Sequence, residues 1–165
     1  MAAMSSSAPI RIRPACAEDA AALRAILRDT FESTWRSNVT AAAAAAFLAE
    51  DRPGAFVAEK GLLFWVAERG GETAGLVHWE GDFVHALHVR SAHARCGVGA
   101  RLMDHVEAAM ARAGVAAARL ETDTFNRRSQ AFYAARGYRE ADRYPDEQWA
   151  SGITTLLLVK PLDGQ

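Results

Sequence analysis

Leu87-His88-Val89-Arg90-Ser91-Ala92-His93-Ala94-Arg95-Cys96-Gly97-Val98-Gly99-Ala100-Arg101-Leu102-Met103 is the stretch from which the rest of the chain can be laid out. It opens at the end of an apolar-alternating run, Phe83 to Val89, which predicts a short strand. A polar turn follows. From Gly97 onward Val98, Leu102, Val106, Ala109, Met110 and Ala113 recur at three- and four-residue spacing, which predicts a helix. A helix start leaves several backbone N–H groups without intrahelical acceptors and carries roughly half a positive charge from the macrodipole, so an anion such as a pyrophosphate can sit there. Gly97 and Gly99 let the backbone approach such a ligand more closely than a Cβ would allow. Taken alone, a Gly-x-Gly turn before a helix is equally a packing device.

Upstream of this stretch, Ile10-Arg11-Ile12-Arg13 alternates apolar and charged residues and predicts a first strand, ended by Pro14. Ala20, Leu23, Ile26, Leu27 and Phe31 mark a helix over 17–31, with Trp35 in the short connection after it. Thr40 is placed to cap a second helix over Ala41 to Glu50, which Asp51-Arg52-Pro53-Gly54 ends. Leu62 to Glu68 and Thr73 to Glu80 read as a hairpin across Arg69-Gly70-Gly71. Downstream, the long helix stops at Gly114 and a strand runs from Ala118 to Thr122. Asn126 caps a short helix that ends near Arg136-Gly137, and strands at Tyr138 to Arg143 and Ile153 to Lys160 close the chain. The order β-α-α-β-β-β-α-β-α-β-β predicts an α/β (α+β) fold: a mixed, mostly antiparallel sheet with helices on its faces. One domain over 10–162 is expected, after a disordered tail at 1–9.

Composition narrows the function. The chain has 165 residues, half of them hydrophobic and 24% charged, which suits one globular domain with a real core. A formal charge of −1 provides no basic field, so nucleic acid is not an expected partner. Cys16 and Cys96 are the only cysteines and form no CxxC, so neither a metal site nor a disulfide framework is expected. The N-terminus lacks a signal-peptide pattern and no stretch is long enough to span a bilayer, so a cytoplasmic location without membrane contact is expected.

Two segments carry a resemblance. Val89 followed by Arg95-x-Gly97-Val98-Gly99-Ala100 resembles the acyl-CoA pyrophosphate loop of the GNAT acetyltransferase superfamily. Asn126-Arg127-Arg128-Ser129-Gln130-Ala131-Phe132-Tyr133-Ala134-Ala135-Arg136-Gly137-Tyr138 resembles the second signature of the same superfamily. The two stand in the family's order at about its separation. Ser91 stands where the pattern commonly has proline, and Ala94 stands where a Gln or Arg usually opens the loop. Arg95 or Arg101 is then the side chain expected to supplement the backbone amides.

The resemblance implies the GNAT fold, acetyl-CoA as co-substrate, and transfer of an acetyl group to a primary amine by direct attack in a ternary complex. It makes Phe83 to Val89 the fourth strand and Ala118 to Thr122 the fifth, with the pantetheine arm between them. Main-chain groups of Leu87, His88 and Val89 would hold that arm, and the loop Arg95, Cys96, Gly97, Val98, Gly99, Ala100 and Arg101 the pyrophosphate. Asn126 and Phe132 would add contacts to the cofactor. Tyr133 would protonate the departing thiolate. For the base that must accept the amine's proton, His85 is first choice, Glu80 second and Glu121 third, with His88 and His78 also available. Strand alternation puts His85 on the face of Leu87 and Val89. Trp35, Asp146, Glu147 and Trp149 are expected to flank the acceptor and to steer a cationic amine. Polyamines, amino acids, aminoglycoside-like drugs and protein N-termini all fit this reading, and a homodimer is compatible with it. Cys96, a thiol at a helix N-terminus, offers a covalent acyl-enzyme as an alternative, although no orienting third group is evident. A non-catalytic acyl-CoA sensor on the same fold is the other alternative.

Overall fold

The computed structural model describes residues 8–146 and 151–162. Its centre is a seven-stranded sheet, β1 Ile10–Pro14, β2 Trp65–Arg69, β3 Glu72–Glu80, β4 Phe83–Val89, β5 Ala117–Asp123, β6 Arg139–Pro145 and β7 Thr154–Pro161, in the order β1-β2-β3-β4-β5-β7-β6. Every neighbouring pair is antiparallel except β4 and β5. The helices are α1 Ala20–Thr30, α2 Ala41–Ala49, α3 Arg52–Lys60, α4 Val98–Arg112 and α5 Arg127–Ala135.

Two apolar clusters cover the two faces of the sheet. Val98, Leu102, Met103, Val106 and Met110 of α4 pack with Val77, Val84, Ala118 and Leu120 on one face, where Tyr133 and Tyr138 also lie. Leu23, Ile26 and Leu27 of α1 and Val57 of α3 pack with Val66, Leu76 and Ala86 on the other. The alternation of Leu76 and Val77 between the clusters is the period-two signature of a strand buried on both sides.

Local chemistry explains most boundaries. The Thr40 hydroxyl accepts from the Ala43 N–H at 3.1 Å and starts α2. Gly114, at φ +80, follows α4 where the chain leaves the helix in the left-handed region. The Asn126 side chain accepts from the Ser129 N–H at 3.1 Å and starts α5.

Two readings from the sequence need correction. Asp51-Arg52-Pro53-Gly54 ends α2 but also begins α3, so three helices rather than two precede β2. Asp51 is the N-cap, its carboxylate accepting from the Gly54 N–H at 3.4 Å, and Pro53 sits in the first turn where its missing N–H costs nothing. The segment around Trp35 is not an open connection, because α1 continues into a π-helical turn over Phe31–Trp35. The last strand is central: β7 pairs with β5 on one edge and β6 on the other, so it offers no free edge to another copy. The sheet ends instead at β6, whose residues are mostly exposed and which carries Arg139, Glu140, Asp142 and Arg143, charges that discourage edge pairing. Most of the tail expected at 1–9 lies outside the described residues.

Gly75 is the tightest point between sheet and helix. A Cβ there would lie 2.9 Å from the His88 carbonyl oxygen and 2.9 Å from Val98 Cγ1. Gly75→Ala is therefore expected to lower stability by about 1–3 kcal/mol through overpacking, read as a lower urea midpoint at unchanged m-value.

Candidate active site

The one parallel pair sets up the cleft. β4 and β5 are in register only at Phe83↔Arg119 and Val84↔Leu120, after which they separate. From Ala86 to Val89, β4 is paired with β3 but has no strand partner on its β5 side. The gap opens into a cleft of about 1190 Å³ that reaches from the α1 end to the start of α4.

At the α4 end, Gly97 takes φ +85 as the N-cap, a conformation glycine adopts at little cost. The Arg101 N–H donates to the Gly97 carbonyl at 3.0 Å, so the amides of Val98, Gly99 and Ala100 precede the first intrahelical bond. Gly99 faces the Phe132 ring across a space that a Cβ would fill to 3.4 Å. Arg95 lines the cleft with a left-handed backbone of φ 59. This is a cradle of amides with small residues around it, and it fits a phosphate-bearing ligand.

The loop before α4 is braced from below. Ser91 N–H and hydroxyl both donate to the Asp29 carboxylate, at 2.7 and 2.8 Å, tying the loop to the end of α1. His93 is fully buried; Arg69 donates to its Nδ1 at 3.1 Å and its Nε2–H donates to Glu72 at 2.9 Å. Receiving on one nitrogen and donating on the other fixes the neutral tautomer.

The predicted residues divide clearly. Trp35, His85, Leu87, His88, Val89, Arg95, Gly97, Val98, Gly99, Ala100, Asn126, Phe132, Tyr133 and Asp146 all line the cleft. Cys96, Arg101 and Glu80 do not. Cys96 is turned back onto the Ala94 carbonyl at 3.4 Å, and Arg101, in the first turn of α4, is exposed. Arg128, on the first turn of α5, lines the cleft although the sequence reading did not single it out. Glu80 is held outside by Lys60 and His78, both at 3.1 Å, and these partners, Lys60 above all, keep its carboxyl below the usual range. Glu147 and Trp149 lie outside the described residues.

A bulge overturns the expected orientation of His85. His78 pairs with Ala86 and Trp79 with Val84, leaving His85 as the extra residue of β4. Val84, Leu87 and Val89 consequently pack on the α4 face, whereas the His85 ring lies 5.7 Å from that of His78 and 4.9 Å from that of Phe83. His78 in turn touches Phe56 and Phe64 on the α3 side, so His85 belongs to that side rather than to the face of Leu87 and Val89. His88 shares a hydrogen bond with Thr30 at 2.8 Å, and burial pushes its imidazole down to about 4.

Tyr133 is buried edge-on against Phe132 and Tyr138, at 5.1 and 5.4 Å. Burial raises its phenol above the ordinary value, so it keeps its proton at neutral pH. Opposite it lies a residue that alternation alone did not single out. Asp123, at the end of β5, is 7% exposed and lines the cleft. Burial first, and then the neighbouring charges of Asp146 and Glu121, push its carboxyl up to about 6.

Comparison with known proteins agrees with this geometry. Residues 20–138 match the model of the acetyltransferase (GNAT) family. A GCN5-related N-acetyltransferase from Rhodopseudomonas palustris superposes with a TM-score of 0.78 at 24% identity, over 96% of this chain and 98% of that one. The PaiA N-acetyltransferase from Thermoplasma acidophilum, solved in complex with coenzyme A, gives 0.73 at 17% identity, over 93% and 99%. The ribosomal-protein-S18-alanine N-acetyltransferase from Escherichia coli gives 0.65 at 19% identity, over 95% and 96%. The chain belongs to the GNAT acetyltransferase family.

The bracing of the loop can be tested apart from chemistry. His93→Ala removes a fully buried ring together with the acceptor for one Arg69 N–H and the donor to Glu72, and is expected to cost about 1–3 kcal/mol in urea unfolding. Cys96→Ala, which removes one weak donor, is expected to stay within about 0.5 kcal/mol of the parent.

Proposed function

We propose that this protein is an acetyl-CoA-dependent N-acetyltransferase that acetylates a primary amine of a small molecule or peptide by direct attack within a ternary complex. The observation that carries this reading is the gap between β4 and β5, which ends at the amide cradle of α4 and opens onto both faces of the sheet. Acetyl-CoA supplies an activated acetyl group as a thioester. The amides of Val98, Gly99 and Ala100 hold its pyrophosphate, with Arg95 and Arg128 at the rim. The unpaired edge of β4 from His85 to Val89 receives the pantetheine amides in the manner of an added strand. Asn126, already engaged as the cap of α5, and Phe132 close the far wall.

Tyr133 donates its proton to the sulfur as the thiolate leaves. Its burial suits the task, because a phenol that stays neutral at pH 7 has a proton to give. The acceptor enters from the α1 side, where Trp35 and Asp146 line the cleft and the Ser151 hydroxyl donates to Asp146 at 2.6 Å. The coenzyme A in the PaiA structure supports the ligand, and the N-acetyltransferase names among the structural relatives support an amine acceptor.

The test begins with binding. Acetyl-CoA at a hundredfold excess over its Kd stabilises by about 2.7 kcal/mol, which should raise the melting temperature by roughly 5–10 °C. Gly99→Leu fills the cradle and should abolish this rise without unfolding the protein. Glycinamide, lysine, ethanolamine and spermidine are then screened for thiol release. Tyr133→Phe is expected to lower kcat by about 10²-fold or more with the Kd for acetyl-CoA within about twofold. No thermal shift in the parent protein would overturn the reading, and binding without turnover by any amine would favour a sensor on the same fold.

A further inference from the structure

We propose that Asp123 is the catalytic base of this enzyme, the group that takes the proton from the acceptor's ammonium on the α1 side of the cleft. The inference rests on the N-acetyltransferase reading and goes beyond it by naming a residue on β5 in place of His85, Glu80 or Glu121.

Three acidic side chains are buried among the described residues: Asp19, Glu107 and Asp123, at 6, 8 and 7% exposure. Asp19 accepts a two-pronged contact from Arg13, at 2.7 and 2.8 Å. Glu107 accepts from both Arg136 and Lys160. Buried carboxylates kept for structure have such cations, since an uncompensated one costs far more than it returns. Asp123 has a threonine hydroxyl, from Thr155, and two more acids nearby. Its burial is thus expensive and serves no ion pair. Where such a group also opens into a cleft, a chemical role is the physical explanation.

The strand geometry puts it on the acceptor's side. The Thr122 hydroxyl is 2.8 Å from that of Ser129 on α5, and Leu120 packs against α4. Alternation along β5 therefore turns Glu121 and Asp123 to the opposite face, that of α1. Tyr133 stands on the α4 face. Acid and base thus approach the gap from its two sides, with the reacting carbon between them. Glu121 and His85 are both exposed, so neither is shielded as Asp123 is.

The step balances. The Asp123 carboxylate takes one proton from R–NH3+, the freed lone pair attacks the thioester carbonyl carbon, and the C–N bond forms. The C–S bond breaks with its electron pair going to sulfur, which takes a proton from Tyr133. The second proton of the new C–N nitrogen restores Tyr133 through solvent, and Asp123 returns its proton to solvent. The products are the amide, CoA–SH and one released proton.

The charged neighbours that act on Asp123 are Asp146, just past the end of β6, and Glu121 on β5; the other titratable side chains of the cleft include His85 and His88 on β4, Arg95 before α4, Arg119 on β5, Arg128 on α5 and Tyr133, and Arg119 is taken up by Asp82 at 2.9 Å. Burial first, and then Asp146 and Glu121, hold the Asp123 carboxyl at about 6, close to the operating pH of a base. The sign of the linked stability follows. The native state keeps a proton on Asp123 that the unfolded state gives up near 3.9, so this residue costs stability as pH rises from about 4 to about 6.

The test uses the full chain. With the fastest amine among glycinamide, lysine, ethanolamine and spermidine, kcat/KM of the parent should rise through an ascending limb near pH 6. Asp123→Asn should lower kcat about 10²-fold or more and erase that limb, with acetyl-CoA affinity by calorimetry within about twofold. Thr155→Val, which removes the hydroxyl that favours the charged form, should move the limb to higher pH and lower kcat/KM at neutral pH, with the loss recovered as pH rises past the shifted limb. Asp123→Asn should also melt at a higher temperature than the parent at pH 8, the gap closing toward pH 4. Carbon-13 NMR of labelled aspartate needs no acceptor at all: the resonance lost in Asp123→Asn should titrate near 6 in the acetyl-CoA complex. A titration in the ordinary carboxylate range, or an unchanged limb in Asp123→Asn, overturns the proposal. Loss of acetyl-CoA binding by the parent overturns the functional reading instead, which separates the two failures.

Discussion

A parallel strand pair that lasts for two residues on each side is the constraint on which the molecule turns. Phe83↔Arg119 and Val84↔Leu120 join β4 to β5, and beyond them the strands part. Such a break would ordinarily leave a weak sheet with two exposed edges. It is tolerated here because each half is anchored elsewhere. β5 pairs with β7 along its whole length, from Ala117↔Pro161 to Asp123↔Thr155, and β4 pairs with β3 as far as Val89↔Gly75. The extra residue at His85 bends β4 directly after the last shared pair, as bulges do. The opening is therefore a property of two rigid halves rather than of a loose one, and a ligand entering it meets backbone groups already in position. That preorganisation reduces the ordering that binding must otherwise impose.

Buried charge is spent unevenly around this opening. Glu107 on α4 collects Arg136 after α5 and Lys160 on β7, and Tyr138 donates to it at 3.4 Å, so one carboxylate locks three elements behind the cleft. The chain Arg69–His93–Glu72 does the same for the turn that feeds α4. Both networks are paired throughout their acids, which suits a structural role. Asp123, on the other wall, has no such partner set. The contrast within one molecule is more informative than the burial of any single acid.

The parts that could be read from the sequence are those with local signals. The strand at Phe83–Val89, the helix from Val98, its stop at Gly114 and the Asn126 cap all follow from short-range periodicity and capping, and they stand where expected. The two-motif resemblance brought Tyr133, Asn126 and the glycine loop to a common cleft. What was missed depends on partners distant in the chain. Asp51 serves as the end of one helix and the start of the next, and pattern alone registers the break without the second helix. His85 changes face because one residue of β4 has no counterpart on β3, and alternation counts residues without seeing pairing. Arg101 and Arg128 are both helix-start arginines, and only the placement of α5 decides which one reaches the cleft. Asp123 looks like a polar strand end until Thr155 and Asp146 close over it.

In the proposed reaction the two protonation states that matter are both set by dehydration, but with opposite consequences. Burial keeps Tyr133 neutral, which preserves an acid at pH 7. Burial also favours the neutral form of Asp123, yet only to about 6, so at pH 7 most of the population is the carboxylate that a base requires. Had Asp123 a cation beside it, as Asp19 has Arg13, its carboxyl would fall well below the usual range and lose most of its basicity. Without the Thr155 hydroxyl it would rise further and be partly protonated when needed. The threonine and the absence of an ion pair thus work as a pair, and the fold accepts the stability lost between about pH 4 and about pH 6 in exchange for a base near its working range.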